Sequence, residues 1–329
     1  MEKLDTLPIC FIGGTGRSGT TILRKIFQQH SKVALFPEWR GTIDPDGILD
    51  FYVSMTYMWS PHLVDFKIKR LRKMLDKLGT KKSIDKVLNS VSGRLWEKSN
   101  MNLRPQYATI EVAKYCENYF EIVDELINDL SDFDFKGIWA GKEFGSQSRI
   151  YHASVYSKDQ LKSIFSKFLY KFYGSIVNKQ NATFYLEDNT WNFIWFDKLL
   201  DLLPNAKLVH IHRDPRDVVS SYLNQRWAPS DVKEATQFYT DLMDKWLAIR
   251  DKIPKESYFE ISLYELVETP AEMLKKIGNF WGIEYEDSLL NIKLNKSNKG
   301  RWKKNLDAAT AKELELNLAK YSKEYNYGI

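Results

Sequence analysis

Short apolar runs alternate with stretches of helical spacing at both ends of the chain. Leu7 to Ile12 has the length of a buried strand. A glycine-rich segment from Gly13 to Thr21 follows, and then Ile22, Leu23, Ile26 and Phe27 fall at helical spacing. This unit reads as strand, glycine-rich loop, helix. The alternation returns after residue 180. Thr183–Leu186, Lys207–His212 and Ser257–Ile261 are predicted strands, with helical patterns over 191–203, 214–226, 234–252, 270–281 and 307–324. Strands separated by helices predict a parallel sheet with helices on both faces. Residues 40–180 read differently. Ile68–Leu78 has an apolar face with basic residues between, and the helical pattern recurs over 111–130 and 157–177.

Composition narrows this picture. At about 150 residues per domain, 329 residues suggest two domains or one large interrupted one. With 43% apolar and 28% charged residues, disorder, collagen and coiled coil are excluded for the chain as a whole. The net charge of +5 is too weak to imply nucleic acid, although it suits an anionic ligand. Cys10 and Cys116, the only cysteines, make neither a disulfide framework nor a zinc site. No apolar stretch approaches the length of a membrane span, and the N-terminus has no signal-peptide core, so the expected compartment is the cytoplasm. Aromatic residues are frequent at 14%, which fits either a large core or an aromatic-lined pocket.

Three segments carry candidate chemistry. A glycine-rich turn opening a helix offers backbone N–H groups and a positive helix end to an anion. Gly14, Gly19 and Thr21 fit the nucleotide-kinase spacing, but Thr20 stands where that pattern has its lysine. The cation of the loop is Arg17 instead. The second segment is Arg213–Tyr222, at a strand end, with Asp214 as expected N-cap and Pro215 as first helical residue. Arg213 and Ser221 are spaced so that both can meet one phosphate. The third is Lys299–Lys304, where a glycine, an aromatic and four cations suit a loop closing over a nucleotide. Taken singly, the second and third read as a capped helix and a solvated basic loop. The five histidines (30, 62, 152, 210, 212) read as structural, with His62 and His152 as fallback bases.

Together the three segments resemble the sulfotransferases that use 3′-phosphoadenosine 5′-phosphosulfate (PAPS), with the tyrosylprotein branch nearest in pattern. The resemblance covers about residues 7–40 and 183–305. It implies an α/β fold, a P-loop-type parallel sheet flanked by helices, in one domain with a mostly helical insertion over 41–182 that takes the acceptor. Gly16, Arg17, Ser18, Gly19, Thr20 and Thr21 would then hold the 5′-phosphosulfate. Arg213 and Ser221 would hold the 3′-phosphate, and Gly300, Arg301, Trp302 and Lys303 would cover the cofactor, with Trp302 stacking on adenine. Glu38, 21 positions after Arg17, matches the general base of that branch. The reaction implied is transfer of a sulfuryl group to a hydroxyl of a small-molecule or carbohydrate acceptor, releasing adenosine 3′,5′-bisphosphate (PAP), without a metal. Trp39, Tyr52, Tyr57 and Trp59 are candidates for the acceptor pocket. One position departs from the branch: Asp188 stands where a catalytic lysine is expected. Arg17 alone, or another cation such as Lys142, would then cover the leaving group. The alternatives are a P-loop kinase or other phosphotransferase, and an inactive nucleotide-binding relative.

Overall fold

A computed structural model describes residues 7–36, 38–79, 111–139, 148–294 and 298–328. The first elements in chain order are β1 (Ile9–Gly13), α1 (Thr20–Phe27), β2 (Val33–Phe36), α2 (Ile48–Tyr57), α3 (Pro61–Gly79), α4 (Tyr119–Asp129), β3 (Phe133–Gly137), β4 (Ser148–His152) and α5 (Lys158–Lys179). Then follow β5 (Phe184–Glu187), α6 (Phe196–Leu202), β6 (Lys207–His212), α7 (Pro215–Tyr222), α8 (Val232–Arg250), β7 (Tyr258–Ser262), α9 (Leu263–Glu268), α10 (Pro270–Trp281), α11 (Trp302–Asn305), α12 (Ala308–Asn317) and α13 (Ala319–Glu324). The chain divides into two units, one of Pro8–Glu38 and Ala182–Ile329, the other built on Trp39–Asn181.

The first unit holds a five-stranded sheet in the order β2-β5-β1-β6-β7, with every pairing parallel. The two-residue period of a strand sends alternate side chains to opposite faces. Cys10 and Ile12 pack with Leu23, Ile26 and Phe27 of α1 and with Leu274 and Ile277 of α10. Phe11, between them, meets the edge of Phe196 at 6.1 Å on the other face, where His210 stacks on Phe193 at 5.2 Å. Helices therefore cover both faces, and central strand β1 reads as a continuous apolar run because neither side meets water, whereas edge strand β7 is half-exposed over Tyr258–Glu260. From β1 the chain passes through α1 to β2 on one flank, whereas β6 pairs with β1 on the other. The carboxyl end of β1 is thus a topological switch point, the place where open α/β sheets bind ligands.

Strand β2 is absent from the sequence reading. Its four residues, Val-Ala-Leu-Phe, are too short to show a period and gain their strand character from β5, against which Val33 aligns with Phe184. Residues 307–324 form two helices rather than one, with a break at Leu318.

In the second unit, α3 buries Val64, Ile68, Leu71, Leu75 and Leu78 on one face. Arg72 pairs with Asp76 at 3.0 Å on its outer side, and Lys69 reaches the buried Asp65 at 2.8 Å. Helix α5 begins with a capping box between Ser157 and Gln160. This unit also contains an antiparallel pair, β3 with β4, that the helical pattern did not suggest. Most of the aromatic excess here is core: Phe51 lies 5.5 Å from Phe165, and Trp39 lies 4.4 Å from Phe172. Trp39 and Tyr52 were candidates for an acceptor pocket, and their burial corrects that expectation, whereas Tyr57 and Trp59 are exposed. Among the described residues, no helix is long and apolar enough to cross a membrane.

Candidate functional site

The glycine-rich loop leaves β1 at Gly13 and turns sharply into α1. Gly14 donates its N–H to the Thr190 carbonyl at 3.0 Å, which pins the loop's entry to the segment after β5. Gly19 is the N-cap of α1 at φ +119°, a conformation that a side chain would strain. Among the described residues, no side chain caps this helix end, so its positive dipole faces the loop. Ser18 is buried, and its Oγ has no partner among the described residues. A buried hydroxyl left unpaired costs about 1–3 kcal/mol unless a ligand supplies the missing bond. Thr20 is buried, whereas Arg17 and Thr21 are exposed.

The second motif meets this loop directly. Asp214 caps α7 by accepting from the Arg216 N–H at 2.9 Å, and Pro215 follows as first helical residue. Arg17 Nε donates to Ser221 Oγ at 2.9 Å, although 204 positions separate the two residues. Arg213 Nη1 donates to the Arg17 carbonyl at 3.4 Å, and Nη2 donates to the Asn298 carbonyl at 3.0 Å. The Arg213 side chain is buried, and its Nε has no partner among the described residues. Arg17, Arg213 and Ser221 thus converge, and among the described residues Ser18 Oγ and Arg213 Nε are left without a partner. That donor set fits a ligand carrying more than one anionic oxygen.

The C-terminal segment joins the same region through its backbone. Gly300 and Trp302 both donate N–H groups to the Asp217 carboxylate, at 2.9 and 3.0 Å. Arg301 and Lys303 are exposed. Trp302 is not: its indole is 2% exposed, with the Arg216 guanidinium 4.9 Å above the ring. So enclosed, Trp302 offers no open face to a base, which corrects the sequence expectation. Among the described residues, an available aromatic is Trp227, which the sequence reading missed. Its indole is 48% exposed and lies so near Gly16 that a Cβ there would come within 2.8 Å of it. An aromatic a few residues past the Arg213–Ser221 motif was the only sequence signal for it.

Glu38 is exposed and has φ +40°, a conformation rare for a residue with a side chain. Its N–H donates to Asp188 Oδ1 at 3.4 Å. Arg40, two residues on, pairs with Asp44 at 3.0 Å. Asp188 itself is buried and holds Arg24 Nε at 2.7 Å through Oδ2. Burial pushes the Asp188 carboxyl up to about 6, against the opposing pull of Arg24. The position expected to carry a lysine therefore carries an anion that fixes a guanidinium from α1. Lys142, the other cation considered for the leaving group, lies outside the described residues. The histidines have structural partners: His30 Nε2 meets the Glu284 carbonyl at 2.8 Å, His210 meets Glu260 at 3.0 Å, and His212 meets the Tyr327 hydroxyl at 2.7 Å. His152 stacks on Phe133 at 4.6 Å.

Several solved structures are similar to this chain at low identity. The sulfotransferase domain from the Synechococcus PCC 7002 olefin synthase is 16% identical, with 98% of this chain and 95% of that one covered at a TM-score of 0.47. The sulfotransferase domain from the curacin biosynthetic pathway is 15% identical, with 98% and 99% covered at 0.48. Sulfotransferase STF9 from Mycobacterium avium is 13% identical, with 98% and 78% covered at 0.47. No curated protein sequence matches the chain. The sequence pattern of one family does match, from the strand before the glycine-rich loop to the helical turn after α10: over residues 8–287 the chain fits the sulfotransferase family, and it belongs to that family.

Proposed function

We propose that this sulfotransferase takes its sulfuryl group from PAPS and passes it to a hydroxyl of a small-molecule or carbohydrate acceptor, releasing PAP. The observation that carries the reading is the Arg17–Ser221 hydrogen bond of 2.9 Å. It joins the glycine-rich loop to the Arg213 motif, so that one ligand with phosphate at two positions can span both. The unpaired Ser18 Oγ and Arg213 Nε support it, because each gains a bond when such a ligand enters.

In this reading the 5′-phosphosulfate lies on the N–H groups opening α1, with Ser18, Gly19, Thr20 and Thr21 around it and Gly16 at the turn. The donor supplies an activated sulfuryl group on a phosphate leaving group. Glu38 takes the proton from the acceptor hydroxyl as its oxygen bonds to sulfur. The sulfur–oxygen bond to the 5′-phosphate breaks, and Arg17 balances the charge that develops on that oxygen. Arg213 and Ser221 hold the 3′-phosphate, with Arg301 and Lys303 beside it. Trp227, rather than Trp302, offers an open aromatic face to adenine. Acceptor recognition is assigned to the unit 39–181, which contains none of the donor motifs.

Calorimetric titration tests the donor. PAP should bind without added metal, and ATP with magnesium should bind at least tenfold more weakly. Tighter binding of the magnesium–ATP complex would replace this reading with a phosphotransferase, for which Thr20 is in the wrong place. Transfer of labelled sulfate from PAPS to a metabolite extract tests the acceptor class. Donor binding with no transfer to any extract would point to an inactive relative.

A further inference from the structure

We propose that Asp217 is a positioning residue that shapes the 3′-phosphate subsite from behind, holding both Arg213 and the Gly300–Lys303 segment in place. The inference rests on the donor-site reading above. Asp217 lies in the first turn of α7, three positions after the Asp214 cap, and its carboxylate is fully buried. A buried carboxylate is costly unless donors surround it. Asp217 has four. The Tyr264 hydroxyl donates to Oδ2 at 2.6 Å, the Gly300 N–H to Oδ2 at 2.9 Å, and the Trp302 N–H to Oδ1 at 3.0 Å. The fourth is Arg213 Nη2, 3.4 Å from Oδ2.

The geometry of these four donors has a direction. Gly300 and Trp302 bracket Arg301, so clamping both N–H groups fixes the backbone of the residue between them. Gly300 has φ +72°, which lets the chain present two alternate N–H groups to a single carboxylate. Trp302 is then drawn inward against Arg216, while Arg301 and Lys303 stay exposed. Lys299 Nζ lies 5.2 Å from the ring of Tyr264, the residue whose hydroxyl completes the carboxylate's shell. A second anchor holds the far end of the segment, where Asn305 Nδ2 donates to Ser220 Oγ at 3.1 Å.

Arg213 is fixed by the same carboxylate. Its Nη2 is shared between Asp217 and the Asn298 carbonyl, and its Nη1 is held by the Arg17 carbonyl. Among the described residues, Nε alone remains without a partner. The guanidinium roll is therefore set before any ligand arrives, and reorganisation on binding is small. An anion this close to a phosphate subsite works against binding by charge alone. Its placement is explained by order: it fixes one cation's roll and the backbone that carries two more.

Asp217→Asn tests this with three readouts. The amide keeps the shape, but its NH2 group opposes one of the N–H donors. In the ligand-free protein, the Gly300 and Trp302 amides should exchange with deuterium at least tenfold faster than in the wild type. PAP should bind at least tenfold more weakly, while adenosine 5′-phosphosulfate, which lacks the 3′-phosphate, should bind within threefold of wild type. Tyr264→Phe removes one donor and leaves the carboxylate, so it should show a smaller loss in the same direction; this keeps the test decisive should Asp217→Asn fail to fold. Unchanged amide exchange, or equal loss for both nucleotides, would overturn the proposal, since a purely structural defect does not single out the 3′-phosphate. Failure of the wild type to bind PAP would refute the donor-site reading and this inference together. Wild-type PAP binding with an unaltered nucleotide ratio in both variants would refute the inference alone.

Discussion

Acidification from pH 7 to pH 5 should change the stability of this protein little, because the partly buried His212 and the buried Asp188 respond with opposite sign. Burial, with His210 beside it, pushes the His212 imidazole from 6.5 down to about 3. The unfolded chain therefore binds a proton that the folded chain refuses, and stability is lost as pH falls below 6.5 toward 3. From these values the loss at pH 5 is about 2 kcal/mol. The ring is only partly covered, so solvent screens some of this and the figure is an upper bound. Asp188 does the reverse. Burial raises its carboxyl from 3.8 to about 6, so the folded chain takes up its proton first. Stability from this group is gained as pH falls through 6 toward 3.8, about 1.4 kcal/mol at pH 5. Glu260 would be raised by burial alone, but its bonds from His210, Trp246 and Tyr325 hold it well below its ordinary value of 4.5, outside this window. Urea unfolding at pH 7 and pH 5 separates the two groups. Asp188→Asn should lose up to about 2 kcal/mol on acidification, and His212→Phe should gain about 1.4 kcal/mol. Phenylalanine preserves the stacking on Tyr325 at 4.0 Å, and Tyr327 retains Ser262 as a partner at 3.1 Å. Identical pH dependence in wild type and both variants would refute the assignment of these shifts.

Further predictions concern the site. Glu38→Gln should lower kcat by about 10²–10⁴-fold with PAP affinity unchanged, measured by labelled-sulfate transfer and calorimetry; near-normal turnover would remove Glu38 as the base. Gly14→Ala would place a Cβ 2.7 Å from the Ile211 carbonyl oxygen and against Ser18 Oγ. Because β6 backbone cannot yield, a loss of about 1–3 kcal/mol in thermal unfolding is expected, with weakened PAP binding; a silent substitution would mean that the loop is not held as tightly as described. Arg24→Gln strips Asp188 of its partner at 2.7 Å. A destabilisation of about 2 kcal/mol at pH 7.5 should shrink at pH 5, where Asp188 is protonated and needs no cation; an equal loss at both values would deny that the pair is ionic.

The chain's own pattern determined the sheet and the loop that serves it. The short runs at 7–12, 183–186, 207–212 and 257–261 overlap β1, β5, β6 and β7, and the central strands are legible locally because most of their residues are buried on both faces, whereas edge strand β7 is half-exposed over Tyr258–Glu260. The Asp214–Pro215 start of α7 and the Gly19 entry to α1 were likewise legible, since capping and glycine turns depend on neighbouring residues. Tertiary structure decided what depended on partners distant in sequence. The strand state of β2 came from β5, and the burial of Trp302 came from Arg216 and the clamp at Asp217. Periodicity could say that Trp302 was aromatic in a basic loop but not which way it faced. The open indole of Trp227 beside Gly16 is invisible to any local pattern, as is the contact of Arg17 with Ser221. Asp188 shows the division most plainly. In the sequence it was a missing lysine; in the fold it is a buried anion holding Arg24 and the backbone of Glu38, because burial makes a carboxylate seek whatever donors the fold brings within reach.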